Sequence, residues 1–188
     1  MCTHGLLSLP FNKDRESSTY DLEAPGDHIH CAAQQRAKKL GTKLASFDID
    51  SPERLAPALS AIEKCSVVLV DAHGSRGSLC LGSPETLLDP IDLGLRESAL
   101  EILVVGSCRQ ESDRWNRAAP LGCLIIGYTG KLLAGASHGL ITHAADLGDL
   151  QDIPENHEGA EAMADWVQAR SHPASKRAAE WFVARARP

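Results

Sequence analysis

Three short apolar runs dominate the middle of the chain: Val67-Val68-Leu69-Val70, Ile102-Leu103-Val104-Val105 and Cys123-Leu124-Ile125-Ile126. None alternates with polar residues and each has the length of a strand, so the pattern predicts strands covered on both faces. Elsewhere the apolar period lengthens. Ile29, Ala33, Ala37 and Leu40 fall on one face of a helix expected over 27–40, which Gly41 stops. Leu55, Leu59 and Ile62 form the buried stripe of a second helix. It opens at Ser51-Pro52-Glu53, with Ser51 at the cap and Pro52 at the first helical position. Residues 43–49 read as a strand, 6–10 as a short leading strand and 11–26 as a polar loop. Residues 136–150 and two segments after Glu158 read as helical. Trp166, Val167, Trp181, Phe182 and Val183 give that tail apolar faces to dock.

Buried strands alternating with helices imply an α/β fold: a three-layer sandwich whose mainly parallel central sheet is flanked by helices. At 188 residues the chain has room for one domain with its own core. The expected division is a main domain over 1–150 and a helical extension over 151–188 packed on it. No internal repeat or low-complexity segment interrupts the pattern.

Charge then narrows the partners. The formal net charge is -6, with acidic and basic residues mixed, so no nucleic-acid or membrane surface is expected. No run approaches the roughly 18 apolar residues of a membrane span. The opening Met1-Cys2-Thr3-His4-Gly5 is unlike a secretory signal. The six cysteines (2, 31, 65, 80, 108 and 123) contain no CxxC pair, which speaks against a zinc site and a disulfide framework. A reducing, cytoplasmic setting follows as the expectation. His28 and His30, at a helix start, and His138 and His143, five apart, lack the i,i+4 spacing of a helical metal pair. Neither a metal nor a cofactor is expected.

Functional groups of an open α/β sheet gather beyond the carboxyl ends of its strands. Two such ends carry reactive side chains here: Asp71-Ala72-His73-Gly74-Ser75 and Gly106-Ser107-Cys108-Arg109. A lone cysteine at a strand end is usually inert packing, and a lone His-Gly is usually a turn. The two together at the ends of neighbouring strands would share a cleft. There the imidazole would take or organise the thiol proton and the thiolate would attack a carbonyl. The backbone N–H groups of Gly74 and Cys108 would then hold the developing oxyanion. Cys31, Cys65, Cys80 and Cys123 read as small buried apolar side chains, with Cys80 in a hairpin near the cleft.

The ordered set of elements resembles the caspase-like cysteine peptidases, which include caspases, metacaspases and CHAT domains. Gly26-Asp27 and the helix to Leu40-Gly41, then the strand to Asp50, look like that family's first helix and second strand. The stretch 67–74 looks like its strand ending in the catalytic His-Gly. Gly77-Ser78-Leu79-Cys80-Leu81-Gly82 is similar to the hairpin that follows. Residues 102–109 look like the strand ending in the nucleophile, and 121–129 like the next strand, whose outer end lines the substrate groove. The resemblance covers roughly 26–145. It implies a cysteine endopeptidase, a thiol protease with His73 as base or orienting residue and Cys108 as nucleophile. Gly74 and Cys108 would form its oxyanion hole.

Departures from the family pattern shape the expected specificity. The caspase signature Q-A-C-x-G is replaced by Gly106-Ser107-Cys108-Arg109-Gln110, and the histidine lies closer than about 50 residues upstream. Gly106 offers no side chain to read the P1 residue, so the CHAT branch fits best. The stretch after Cys108 is too short for a processing linker. The expected substrate-binding set is Asp71, Ser107, Tyr128, Thr129 and Gly130. The segment Tyr128-Thr129-Gly130-Lys131 would offer an edge to an extended peptide. Asp71 either faces the cleft, favouring a basic P1 residue or an imidazolium, or caps a neighbouring turn. Glu111 and Asp113 are expected at a helix start, facing solvent. The partners implied are a protein or peptide substrate and an activating or regulatory protein. A catalytically silent caspase-like interaction module is the alternative. A flavodoxin-type binding domain ranks last, because no phosphate-cradling turn follows the first strand.

Overall fold

The computed structural model describes residues 3–9, 34, 38, 41, 43–49, 51–130 and 181–188. Its centre is a six-stranded sheet of β1 (Thr3–Leu9), β2 (Lys43–Asp48), β3 (Val67–Ala72), β7 (Ile102–Gly106), β8 (Leu124–Tyr128) and β9 (Trp181–Arg185). The spatial order is β2-β1-β3-β7-β8-β9. The first five run parallel and β9 runs antiparallel to β8. Between β3 and β7 the chain folds a smaller antiparallel sheet of β4 (Gly74–Ser75), β5 (Ser78–Leu81) and β6 (Ser83–Leu88). Two helices are described in full, α1 (Pro52–Ile62) and α2 (Ser112–Ala118).

The continuous apolar runs explain why β3, β7 and β8 lie inside the sheet. Val68, Val70, Leu103, Val105 and Ile125 share one core with Ala58 and Ile62 of α1, Trp115 and Ala118 of α2, and Leu79, Leu81 and Leu88 of the small sheet. The alternate residues Leu69, Val104 and Ile126 are buried as well. Strands buried on both faces need apolar side chains at every position, and these have them.

Helix α1 begins at Pro52, as the sequence predicts, while the Ser51 side chain makes no capping bond. Ile62 is buried, and Leu55 and Leu59 pack partly buried against the core. Within the helix expected over 27–40, Gln34 and Lys38 are helical and the remaining residues lie outside those described. Gly41 is a turn residue at φ +66, and its N–H donates to the Lys38 carbonyl at 3.2 Å. The leading strand starts earlier than expected, at Thr3. It pairs with both β2 and β3, so it is a central strand rather than a marginal one.

The tail requires a correction. Helices were expected after Glu158, yet Trp181–Arg185 is a strand of the main sheet. The physical reason lies on the facing strand. Gly127 pairs with Phe182, and a Cβ at Gly127 would collide with the Phe182 ring, so the missing side chain admits the aromatic ring. Val183 is buried beside it. The expected helices at 136–150 and at Trp166 and Val167 lie outside the described residues. Among the described residues no helix is long and apolar enough to cross a membrane.

Candidate active site

Strands β3 and β7 pair in parallel register, with Leu69 opposite Val104 and Asp71 opposite Gly106. Two residues beyond that last pair the chain reaches His73 on one strand and Cys108 on the other. Paired strands lie about 4.8 Å apart, so the two residues leave the same edge of the sheet side by side. The strand order also reverses at β1, which lies between β2 and β3, and open sheets bind their ligands beside such a reversal. His73 follows one of the strands bounding it.

Exposure separates the thiols. Of the described cysteines, Cys65, Cys80 and Cys123 are buried, whereas Cys108 is partly exposed. His73 is exposed. Burial pushes the Cys80 thiol up from its ordinary value, with the Glu85 carboxylate adding to the effect. Burial pushes Cys123 up to about 12, against the opposing pull of Arg185. The hairpin does approach the histidine, since the Cys80 N–H donates to the His73 carbonyl at 2.8 Å. The Cys80 side chain itself points into protein.

The loop after Cys108 is tied on three sides. Arg109 sits in the left-handed region at φ +53, an uncommon place for a residue with a Cβ. Its N–H donates to the Gly130 carbonyl at 2.7 Å, and its carbonyl accepts from the Gly77 N–H at 2.8 Å. The Gln110 N–H donates to the Tyr128 carbonyl at 2.9 Å. The Gln110 side chain donates from Nε2 to the Cys108 carbonyl at 2.7 Å and to Ser107 Oγ at 3.2 Å. Gly74 lies directly against this cluster: a Cβ there would collide with the Cys108 carbonyl, Ser107 Oγ and Gln110 Nε2. A glycine after the histidine therefore lets the two loops close on each other.

Helix α2 braces the loop from behind. Trp115, fully buried, donates from Nε1 to Gln110 Oε1 at 2.9 Å. Arg114 bonds Glu111 through Nε and both Ser78 and Asp89 through Nη1, each at 3.1 Å. This fastens α2 to the small sheet. Glu111 and Asp113 are exposed at the start of α2, where they were expected.

The remaining candidates divide. Asp71 is partly buried across from Gly106, and Ser107 is buried with its hydroxyl engaged by Gln110. Tyr128 is buried and pairs with Trp181 of β9, so β8 ends inside the sheet rather than at its rim. The Tyr128 and Gly130 carbonyls already accept from Gln110 and Arg109. Thr129, between them, is exposed. Residues 128–130 thus hold the Cys108 loop as well as flanking it.

Sequence reasoning missed Gln110 and Trp115. Their side-chain bonds lie within the stretch 107–115, but at spacings that match no motif, and the Gln110 N–H bonds Tyr128 of β8. Among the described residues no group of three His, Cys, Asp or Glu side chains gathers as a metal site. No protein-family model matches the chain, and a search of curated proteins finds no match.

Proposed function

We propose that the chain is a cysteine endopeptidase of the caspase-like kind, acting on a protein substrate through His73 and Cys108. The observation that carries this reading is the shared register: both residues lie two positions past the paired Asp71 and Gly106. The described elements from β2 onward support it too. Their order is strand, helix, strand ending in His-Gly, glycine-bounded hairpin and strand ending in cysteine, the order on which the resemblance rests. Burial of both faces of the central strands is what a sheet flanked by helices on either side requires.

In the proposed reaction His73 accepts the Cys108 thiol proton, and the thiolate sulfur bonds to the carbonyl carbon of a peptide bond. The Gly74 and Cys108 N–H groups hold the oxyanion. The imidazolium then gives its proton to the leaving amine as the C–N bond breaks, and a thioester remains. Water, deprotonated by His73, hydrolyses it and regenerates the thiol. No metal or cofactor enters these steps. Control by a protein partner and a reducing, cytoplasmic setting belong to the same proposal.

One observation favours the interaction module as second reading. The Tyr128 and Gly130 carbonyls, in the segment expected to offer an edge to an extended peptide, are engaged within the chain. Incubating the full chain with a protein mixture and sequencing new termini separates the two. Termini that vanish with Cys108→Ala and His73→Ala support the peptidase. No new termini, with equal capture of bound protein by the parent and Cys108→Ala, supports the module.

A further inference from the structure

Beside the dyad lies a buried polar group for which the chemistry above has no use. The Gln110 side chain is 1% exposed, yet it carries a primary amide. A buried amide persists where its donors and acceptor are matched, and these are. Nε2 donates to the Cys108 carbonyl at 2.7 Å and to Ser107 Oγ at 3.2 Å, while Oε1 accepts from Trp115 Nε1 at 2.9 Å. The partners fix which way round the amide sits. An indole N–H can only donate and a carbonyl can only accept, so oxygen faces Trp115 and nitrogen faces Cys108.

The amide is also a junction. It joins the last turn before α2 to the carbonyl of the residue that carries the thiol. On its other side the Gly74 backbone leaves no room for a Cβ against the same three groups, Gln110 Nε2, Ser107 Oγ and the Cys108 carbonyl. Gly74 is covalently bonded to His73. Next along the loop is Arg109, held at φ +53 by bonds at its N–H and its carbonyl. A strained residue of this kind stays in place where its surroundings over-determine it. Gln110 supplies the constraint on the Cys108 side of that residue.

We propose that Gln110 is the positioning residue of the site: its amide locks the Cys108 peptide against Gly74 and thereby holds the thiol in register with the His73 imidazole. This rests on the dyad reading above. Gln110 touches no substrate and moves no proton, so its effect passes through Cys108.

The test is the rate at which iodoacetamide alkylates Cys108 in the folded full chain, read by peptide mapping. It is run for the parent, His73→Ala, Gln110→Met and the double variant. The expected result is a fall of about ten- to a hundredfold for Gln110→Met. His73→Ala should add nothing further, because a displaced thiol has already lost its imidazole. A parental rate in folded Gln110→Met, or effects of the two substitutions that simply multiply, would overturn the proposal. A merely structural amide predicts that multiplication.

Where Gln110→Met does not fold, Gln110→Glu gives a second reading. The introduced carboxyl donates one O–H to the Cys108 carbonyl when neutral and none when ionised. The variant-to-parent rate ratio should therefore fall about tenfold across the pH range in which that carboxyl ionises, followed by its ¹³C shift. A flat ratio across that range counts against the proposal. A measurement without substitution settles the clamp in either case. In the ¹⁵N-labelled parent the Gln110 side-chain amide should exchange slowly and shift when Cys108 is carboxymethylated. Fast exchange and an unmoved signal would overturn it. If the parent alkylates at a rate indifferent to His73→Ala, the dyad reading fails instead, and the amide signal still decides whether Gln110 holds the loop.

Discussion

His73 and Cys108 lie at equal distances past a single cross-strand pair, Asp71 opposite Gly106. A slip of one residue between β3 and β7 would turn one side chain to the other face of the sheet and separate the two. The register in which these two strands pair therefore also fixes how His73 and Cys108 are aligned.

Gly74 should not tolerate a side chain. In Gly74→Ala the new Cβ collides with the Cys108 carbonyl, Ser107 Oγ and Gln110 Nε2. Overpacking of this kind costs about 1–3 kcal/mol, and the loop must shift to relieve it. Urea titration should show the loss of stability, and Cys108 alkylation should slow in the protein that remains folded. Unchanged values for both would mean that the two loops do not close on each other as described.

Trp115→Phe removes one N–H and keeps a ring in the core. Gln110 Oε1 then loses its donor while buried, at a cost of about 1–3 kcal/mol. Trp115→Ala adds a cavity to that loss and should cost about 3–5 kcal/mol. Denaturant midpoints of the two variants check the order. A parental midpoint in Trp115→Phe would mean that the indole N–H contributes nothing.

Alkaline pH should weaken the fold through Cys123. Burial raises its thiol from the ordinary value of 9.0 to about 12. Over that interval the unfolded chain releases the proton that the folded chain keeps. The stabilising contribution is thus complete below about pH 9 and is lost as pH rises toward 12. At most it changes stability by about 1.4 kcal/mol per pH unit. Chemical denaturation at pH 8, 9.5 and 10.5 should therefore show a shallower decline for Cys123→Ala than for the parent. Parallel declines would contradict the assignment.

How much of this was legible in the sequence depends on where the determining contacts lie. β3, β7 and β8 were legible because burial on both faces leaves a continuous apolar run in each. The start of α1 was legible because Pro52 marks a first helical position. β9 was not: Trp181–Arg185 becomes a strand through its pairing with β8 and the space above Gly127, and neither is local to it. His73 and Cys108 stood out because each follows a buried strand directly. Gln110 did not, since its side-chain bonds to Ser107, Cys108 and Trp115 are close in sequence but follow no motif, and its N–H bonds Tyr128 on a separate strand. The edge expected at Tyr128-Thr129-Gly130 missed those bonds for the same reason.

The most direct test of the dyad is intact-mass labelling with an electrophilic thiol probe at neutral pH. The parent chain is compared with Cys108→Ala, His73→Ala and Cys65→Ala. Cys65, Cys80 and Cys123 are buried, and burial raises the latter two thiols, so they should label slowly. The account predicts fast single labelling of the parent, lost in Cys108→Ala and His73→Ala and retained in Cys65→Ala. Slow labelling spread over several cysteines and indifferent to His73 would contradict it.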